Sequence, residues 1–136
     1  MNIRALDHAA LLVKDVERSR QFYVQILGMN EEPRPSNFSF PGAWFRKGTA
    51  HIHLVGEIEE GRATQVVPTY RGNELAIGHA THLAFEVDDL EATQQHLRLH
   101  NIEIVGGPRP RGDGVQQLYV LDPDGYVIAF FVFPLT

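Results

Sequence analysis

The chain has no cysteine among its 136 residues. Disulfides, thiolate nucleophiles and cysteine-type zinc sites are therefore excluded. Long apolar runs are missing too. The longest, Tyr126 to Phe133, is eight residues, against about 20 for a membrane-spanning helix. The opening Met1-Asn2-Ile3-Arg4-Ala5-Leu6-Asp7 lacks the apolar core of a secretory signal, so a cytoplasmic location without a membrane partner is expected. Lysine and arginine number 12 against 17 aspartates and glutamates, for a net charge of −5, and they form no stripe. Nucleic acid, which needs clustered cations, is not an expected partner. What remains is a chain with 43% hydrophobic residues, suited to one compact domain or two small modules sharing a core.

What is present is a repeat. His8-Ala9-Ala10-Leu11-Leu12-Val13 leads to Asp15, and 74 residues on, His82-Leu83-Ala84-Phe85-Glu86-Val87 leads to Asp89. Each copy opens with histidine, continues as an apolar strand and meets an aspartate at the start of a helical pattern. A duplicated unit with histidine at one internal address predicts a pseudo-symmetric fold that brings both imidazoles to one place, as a metal site requires.

The first copy reads as a strand over 5–13 and a helix capped by Asp15, with an apolar stripe of Val16, Phe22, Tyr23, Ile26 and Leu27 ending at Gly28. Strands follow near 29–33, 42–47 and 50–56. The second copy reads as a strand over 80–87, then a helix started by Asp88 with Glu91 and ending near Asn101. Its strands fall near 103–106, 115–121 and 126–133, the last two joined by the turn Asp122-Pro123-Asp124-Gly125. Two βαβββ modules are thus expected, 1–56 and 79–136, in an α+β domain spanning 1–136. Residues 57–78, polar and glycine-punctuated, read as a linker or a functional flap.

Strand alternation puts His8, Ala10 and Leu12 on one face and His82, Ala84 and Glu86 on the equivalent face. His51 and His53 share a face on the last strand of the first module. A lone histidine on an apolar strand is more often a packed core residue. Two at a repeated address shift the balance towards ligation for His8 and His82, with His53 as third ligand and His51 assigned to the outer face of the sheet. The position matching His53 in the second module is Ala129, which cannot bind a metal. His96 and His100 are four apart but fit a solvated helix face, and His79 receives no role. Arg109 and Arg111 offer a clamp for an anionic substrate group or are ordinary loop arginines.

These motifs resemble the vicinal oxygen chelate superfamily, which includes glyoxalase I, bleomycin-resistance proteins, fosfomycin-resistance enzymes and extradiol dioxygenases. The resemblance rests on Asp7-His8 through Val13, Arg20-Gln21-Phe22-Tyr23 through Leu27-Gly28-Met29, His82 through Asp88, and Asp122-Pro123-Asp124-Gly125. Phe40-Pro41-Gly42-Ala43-Trp44-Phe45 with Ile52-His53-Leu54 looks like its lactoylglutathione-lyase-like branch. The resemblance implies paired modules forming a curved mixed sheet around a cleft. It also implies a divalent ion (zinc, nickel, manganese or iron) on His8, His53 and His82, with a glutamate normally at the slot held here by Ala129. Gln117 and Tyr119 match ligand-touching positions of fosfomycin-resistance relatives. The activity implied is lyase- or isomerase-type metal chemistry on a small oxygen-rich substrate in a homodimer, with Glu86 and Tyr119 as candidate proton-transfer groups. The alternatives are a metal-free, drug-sequestering binding protein and an iron(II) dioxygenase.

Overall fold

A computed structural model describes residues 1–134 and divides the chain into two compact units, Met1–Val66 and Val67–Thr136. In the first unit the order is β1 (Ala9–Val13), α1 (Val16–Gln21), β2 (Asn30–Glu32), β3 (Gly42–Lys47), β4 (Ala50–Gly56) and α2 (Arg62–Val66). In the second it is α3 (Glu74–Ile77), β5 (His82–Glu86), α4 (Leu90–Leu99), β6 (Gly106–Pro110), β7 (Gln116–Leu121) and β8 (Val127–Val132). Each unit holds one four-stranded sheet, ordered β1-β4-β3-β2 and β5-β8-β7-β6. In both, the first strand pairs parallel with the last and the other pairings are antiparallel. This is the α+β architecture of two βαβββ halves.

The register makes the repeat physical. His53 lies opposite Ala10 on one side and Trp44 on the other. Ala129 lies opposite Ala84 and Tyr119. Ala84 is Ala10 carried forward by the repeat offset, so His53 and Ala129 occupy one address in two sheets. By the same pairing, Tyr119 holds the address of Trp44, and Gly106 that of Glu32.

Alternation then sorts each sheet into two faces. Leu11, Val13, Ala43, Phe45, Ile52 and Leu54 are buried with Phe22 and Tyr23 of the first helix. Asp15 caps that helix by accepting from the Arg18 amide at 3.2 Å. After Gln21 it widens into a π-helical turn, Phe22–Ile26, and Gly28 leaves it at φ +69°. In the second unit Leu118, Val120, Ile128 and Phe130 are buried with Leu97 of α4.

Several boundaries differ from the sequence reading. β1 begins at Ala9, so His8 stands just before the strand. The cap of α4 is Asp89, not Asp88. Asp89 accepts from the Ala92 amide at 2.9 Å, three residues on, where an N-cap side chain reaches. β6 runs over Gly106–Pro110 instead of 103–106. It is an edge strand with a register shift between Gly106 and Arg109, a place where prolines lacking N–H groups are tolerated. Residues 57–78 carry α2 and α3. The first is anchored by Glu57, whose carboxylate accepts from the amides of Gly61 (3.1 Å) and Ala63 (2.7 Å).

Candidate functional site

The face of the first sheet opposite its helix gathers six aromatic, imidazole and charged side chains. His53 is the centre of a three-ring stack: the Trp44 centroid is 4.0 Å away at an interplanar angle of 2°, and His8 lies on the other side at 3.8 Å and 19°. His51 meets His53 edge-on at 4.4 Å. Beyond it Arg46 bonds Glu32 through Nε at 2.8 Å. Trp44 and Arg46, two apart on β3, pair with His53 and His51, two apart on β4. The grouping thus follows directly from strand alternation.

Protonation on this face is set by its neighbours. Burial disfavours the His53 imidazolium, and His8 and His51 add repulsion, so its pKa is pushed down to about 4. A neutral ring keeps a lone pair, as a metal ligand must. His8 Nδ1 meets Asp7 Oδ2 at 2.7 Å, and that hydrogen bond holds the Asp7 carboxyl below its usual range.

The corresponding face of the second sheet starts from the same histidine. His82 Nδ1 bonds the Ala80 carbonyl at 2.7 Å, a contact in which the ring must be the donor. His8 and His82 therefore share one pattern: Nδ1 is engaged by an oxygen and Nε2 is the remaining ring nitrogen. Ligating histidines are typically braced in this way. The Tyr119 and His82 rings meet at a centroid distance of 5.4 Å and an interplanar angle of 74°, and Gln117 Nε2 donates to the Tyr119 hydroxyl at 2.9 Å.

Around Ala129 this face is apolar and buried, whereas Ala84 and Glu86 on β5 are exposed. Ala80, Tyr119, Val127 and Ala129 form a buried cluster, with Leu75, Val105 and Leu121 packed against it. Ala129 has no exposure at all. α3 comes so close to β6 that a Cβ on Gly106 would stand 2.6 Å from the Leu75 carbonyl oxygen.

Of the residues singled out from sequence, His8, His51 and His53 come together, as do His82, Tyr119 and Gln117. His51 is not on an outer, solvated face: it is 8% exposed, against His53 and Arg46. Arg109 bonds the Ile77 carbonyl. Arg111 is paired with Asp113 at 2.7 Å, reaches Gln117 at 3.3 Å and lies over the Phe131 ring. Glu86 is exposed at the end of β5. His96 and His100 lie beside each other on α4. Trp44, Arg46 and Glu32 escaped notice because the second module carries different residues at their addresses. Strand alternation from His53 would have found Trp44 and Arg46.

Among the described residues, no three His, Asp or Glu side chains surround one point closely enough to hold an ion, and no helix is long and apolar enough to cross a membrane. Residues 5–130 match the model of the Glyoxalase/Bleomycin resistance protein/Dioxygenase superfamily. A lactoylglutathione lyase of Haemophilus influenzae is 31% identical over 128 residues, covering 90% of this chain and 88% of that protein. Glyoxylase I 4 of Arabidopsis thaliana is 28% identical over 131 residues, covering 94% and 70%. Among solved structures, a glyoxalase/dioxygenase from Nostoc punctiforme superposes with a TM-score of 0.76 at 30% identity, covering 98% of this chain and 94% of that one. With the repeated sheets and their paired histidines, these likenesses identify the chain as a member of the glyoxalase, or vicinal oxygen chelate, superfamily.

Proposed function

We propose that the protein is a glyoxalase-like, metal-dependent enzyme acting on a small oxygen-rich substrate by lyase- or isomerase-type chemistry, with His8, His53 and His82 as the metal ligands. Members of the superfamily are typically metal-dependent, and lactoylglutathione lyases are among the relatives. The observation that carries the reading is the matched bracing of His8 by Asp7 and of His82 by Ala80, which leaves Nε2 as the ring nitrogen each could offer an ion. The donor chemistry fits: imidazole suits zinc, nickel and iron alike. His53 fits in charge, being neutral, but its Nε2 is engaged by His51 at 3.1 Å. The chemistry such an ion supplies when bound is Lewis-acid polarisation of substrate oxygens.

The protein's own groups supply the rest. Asp7 and the Ala80 carbonyl fix ring orientation and tautomer. Gln117 donates to the Tyr119 hydroxyl, which fixes the orientation of that hydroxyl as a candidate proton-transfer group. Glu86 stays the second candidate. Arg109 and Arg111 serve an anionic substrate group only by exchanging their present partners, Ile77 and Asp113.

The test is elemental analysis of protein purified without a histidine tag. His8→Ala and His82→Ala should each lose bound zinc or nickel, by at least about 10-fold on the scale of lost ligand contacts, with circular dichroism unchanged. Unchanged metal content in both variants would remove His8 and His82 from the ligand set, and a wild type with no metal above background would transfer the protein to the metal-free binding class. One observation favours that second reading: Ala129, at the address of His53, is sealed in an apolar cluster.

A further inference from the structure

The network around His51 can be read outward from its one fixed proton carrier. A guanidinium is always a donor and never an acceptor. Arg46 Nη2 lies 3.2 Å from His51 Nδ1, so that nitrogen must be the acceptor. His51 is then neutral, with its proton on Nε2. That proton faces His53 Nε2 at 3.1 Å, which must accept it, leaving the His53 proton on Nδ1. The lone pair that His53 would offer to an ion is therefore occupied by a neighbouring histidine.

A second acceptor for His51 is already in place. Glu32 Oε2 lies 3.8 Å from the same Nε2, just beyond hydrogen-bond range. Its other oxygen is pinned by Arg46 Nε at 2.8 Å. Arg46 thus sets the His51 tautomer and also tethers the carboxylate beside it. The His51 side chain is 5% exposed, so its N–H needs a protein acceptor whenever His53 is withdrawn. Glu32 is the charged acceptor closest to hand.

We propose that His51 is a positioning residue that occupies His53 Nε2 in the ion-free protein and yields it to an incoming divalent ion by moving its own N–H onto Glu32. The inference rests on the reading of His53 as a ligand and adds a cost to ion binding, set by His51, Arg46 and Glu32. His51 itself is not a ligand. An ion on its Nε2 would require a proton on Nδ1, directed at the Arg46 guanidinium.

The test is zinc and nickel affinity by calorimetry with chelator competition, on wild type, His51→Phe, Glu32→Ala, the double variant and His8→Ala. Removing the competing N–H should tighten binding about three- to ten-fold, the size of one net hydrogen bond. Glu32→Ala should weaken binding by a similar factor, and this effect should vanish in the His51→Phe background. In ion-free wild type, ring-nitrogen NMR should show His51 protonated on Nε2 and His53 on Nδ1, and zinc should abolish the coupling between them. Weaker or unchanged binding by His51→Phe, or the opposite tautomers, overturns the inference alone. Loss of the ion in His8→Ala keeps the metal reading standing in that case. A wild type that takes no ion beside a His51→Phe protein that does would support the inference, whereas no binding by either sinks both. If His51→Phe is misfolded, the NMR experiment decides by itself.

Discussion

The two halves share strand order, register and the opening histidine, and then differ in what they build on the same face. In the first unit the central address holds His53, stacked between Trp44 and His8 and bonded to His51. In the second it holds Ala129, fully buried with Tyr119, Ala80 and Val127 under Leu75 of α3. The edge address is Glu32 in one and Gly106 in the other, a charged acceptor against a residue chosen for close backbone approach. A duplicated scaffold therefore fixes where side chains point, while a few substitutions decide whether a face is polar and adaptable or packed shut. The imidazole-rich half has rings able to exchange partners. The alanine half has a filled floor and one braced histidine.

The largest expected effect comes from putting a polar ligand group at the packed address. Ala129→Glu would place a carboxyl in the apolar cluster of Leu75, Val105, Tyr119 and Leu121. Burying an unpaired charge costs about 3–5 kcal/mol, and the added volume costs more. Urea denaturation should show that loss of stability, with any tightening of zinc binding obscured by it. A variant as stable as wild type would mean that residue 129 opens onto a polar space, so that the contrast between the halves is false.

A smaller effect separates the edge addresses. Gly106→Ala pushes a methyl group against the Leu75 carbonyl, and overpacking of this kind costs about 1–3 kcal/mol. Hydrogen exchange should locate the loss in α3. Glu32→Ala, at the matching address, removes only an ion pair whose partners are 45% and 35% exposed, so the stability change should stay within about 1 kcal/mol. Equal losses at both addresses would break the distinction between a packed edge and an adaptable one.

The repeat made the fold legible. His8 and His82, with Asp15 and Asp89 at one offset, implied two like modules, and the strands near 42–47 and 50–56 lie between the punctuating Pro41, Gly42 and Gly48. The address shared by His53 and Ala129 followed as well, because register propagates from the repeat. Other features depended on contacts far apart in the chain. The apposition of α3 to β6 depends on Gly106, some thirty residues away, and no periodicity in 57–78 announces it. Asp88 and Asp89 are chemically equal as caps, so only backbone geometry selects the second. The role of His51 depends on Arg46 across the strand pair, and the second module has no counterpart to advertise it.

The smallest expected effect distinguishes how the two short helices of 57–78 are held. α2 packs on β1 and hangs from the Glu57 carboxylate, whose bonds from the Ala63 and Gly61 amides lower its pKa below the ordinary 4.5. α3 packs on β6 and is tied by the Arg109 guanidinium to the Ile77 carbonyl, a contact that does not titrate in acid. For a carboxyl whose pKa is lower in the folded state, the stabilisation is fully present above the unfolded value. It fades as pH falls through the folded value. Acid should therefore loosen α2 below pH 4.5 while α3 keeps its protection. Amide exchange at Ala63, compared with amides of α3 between pH 6 and pH 3, measures this directly. Glu57→Gln should flatten the pH dependence at Ala63, because a neutral amide oxygen accepts at any pH. Parallel loss of protection in both helices would show that they open as one unit and that Glu57 is not what holds α2 in place.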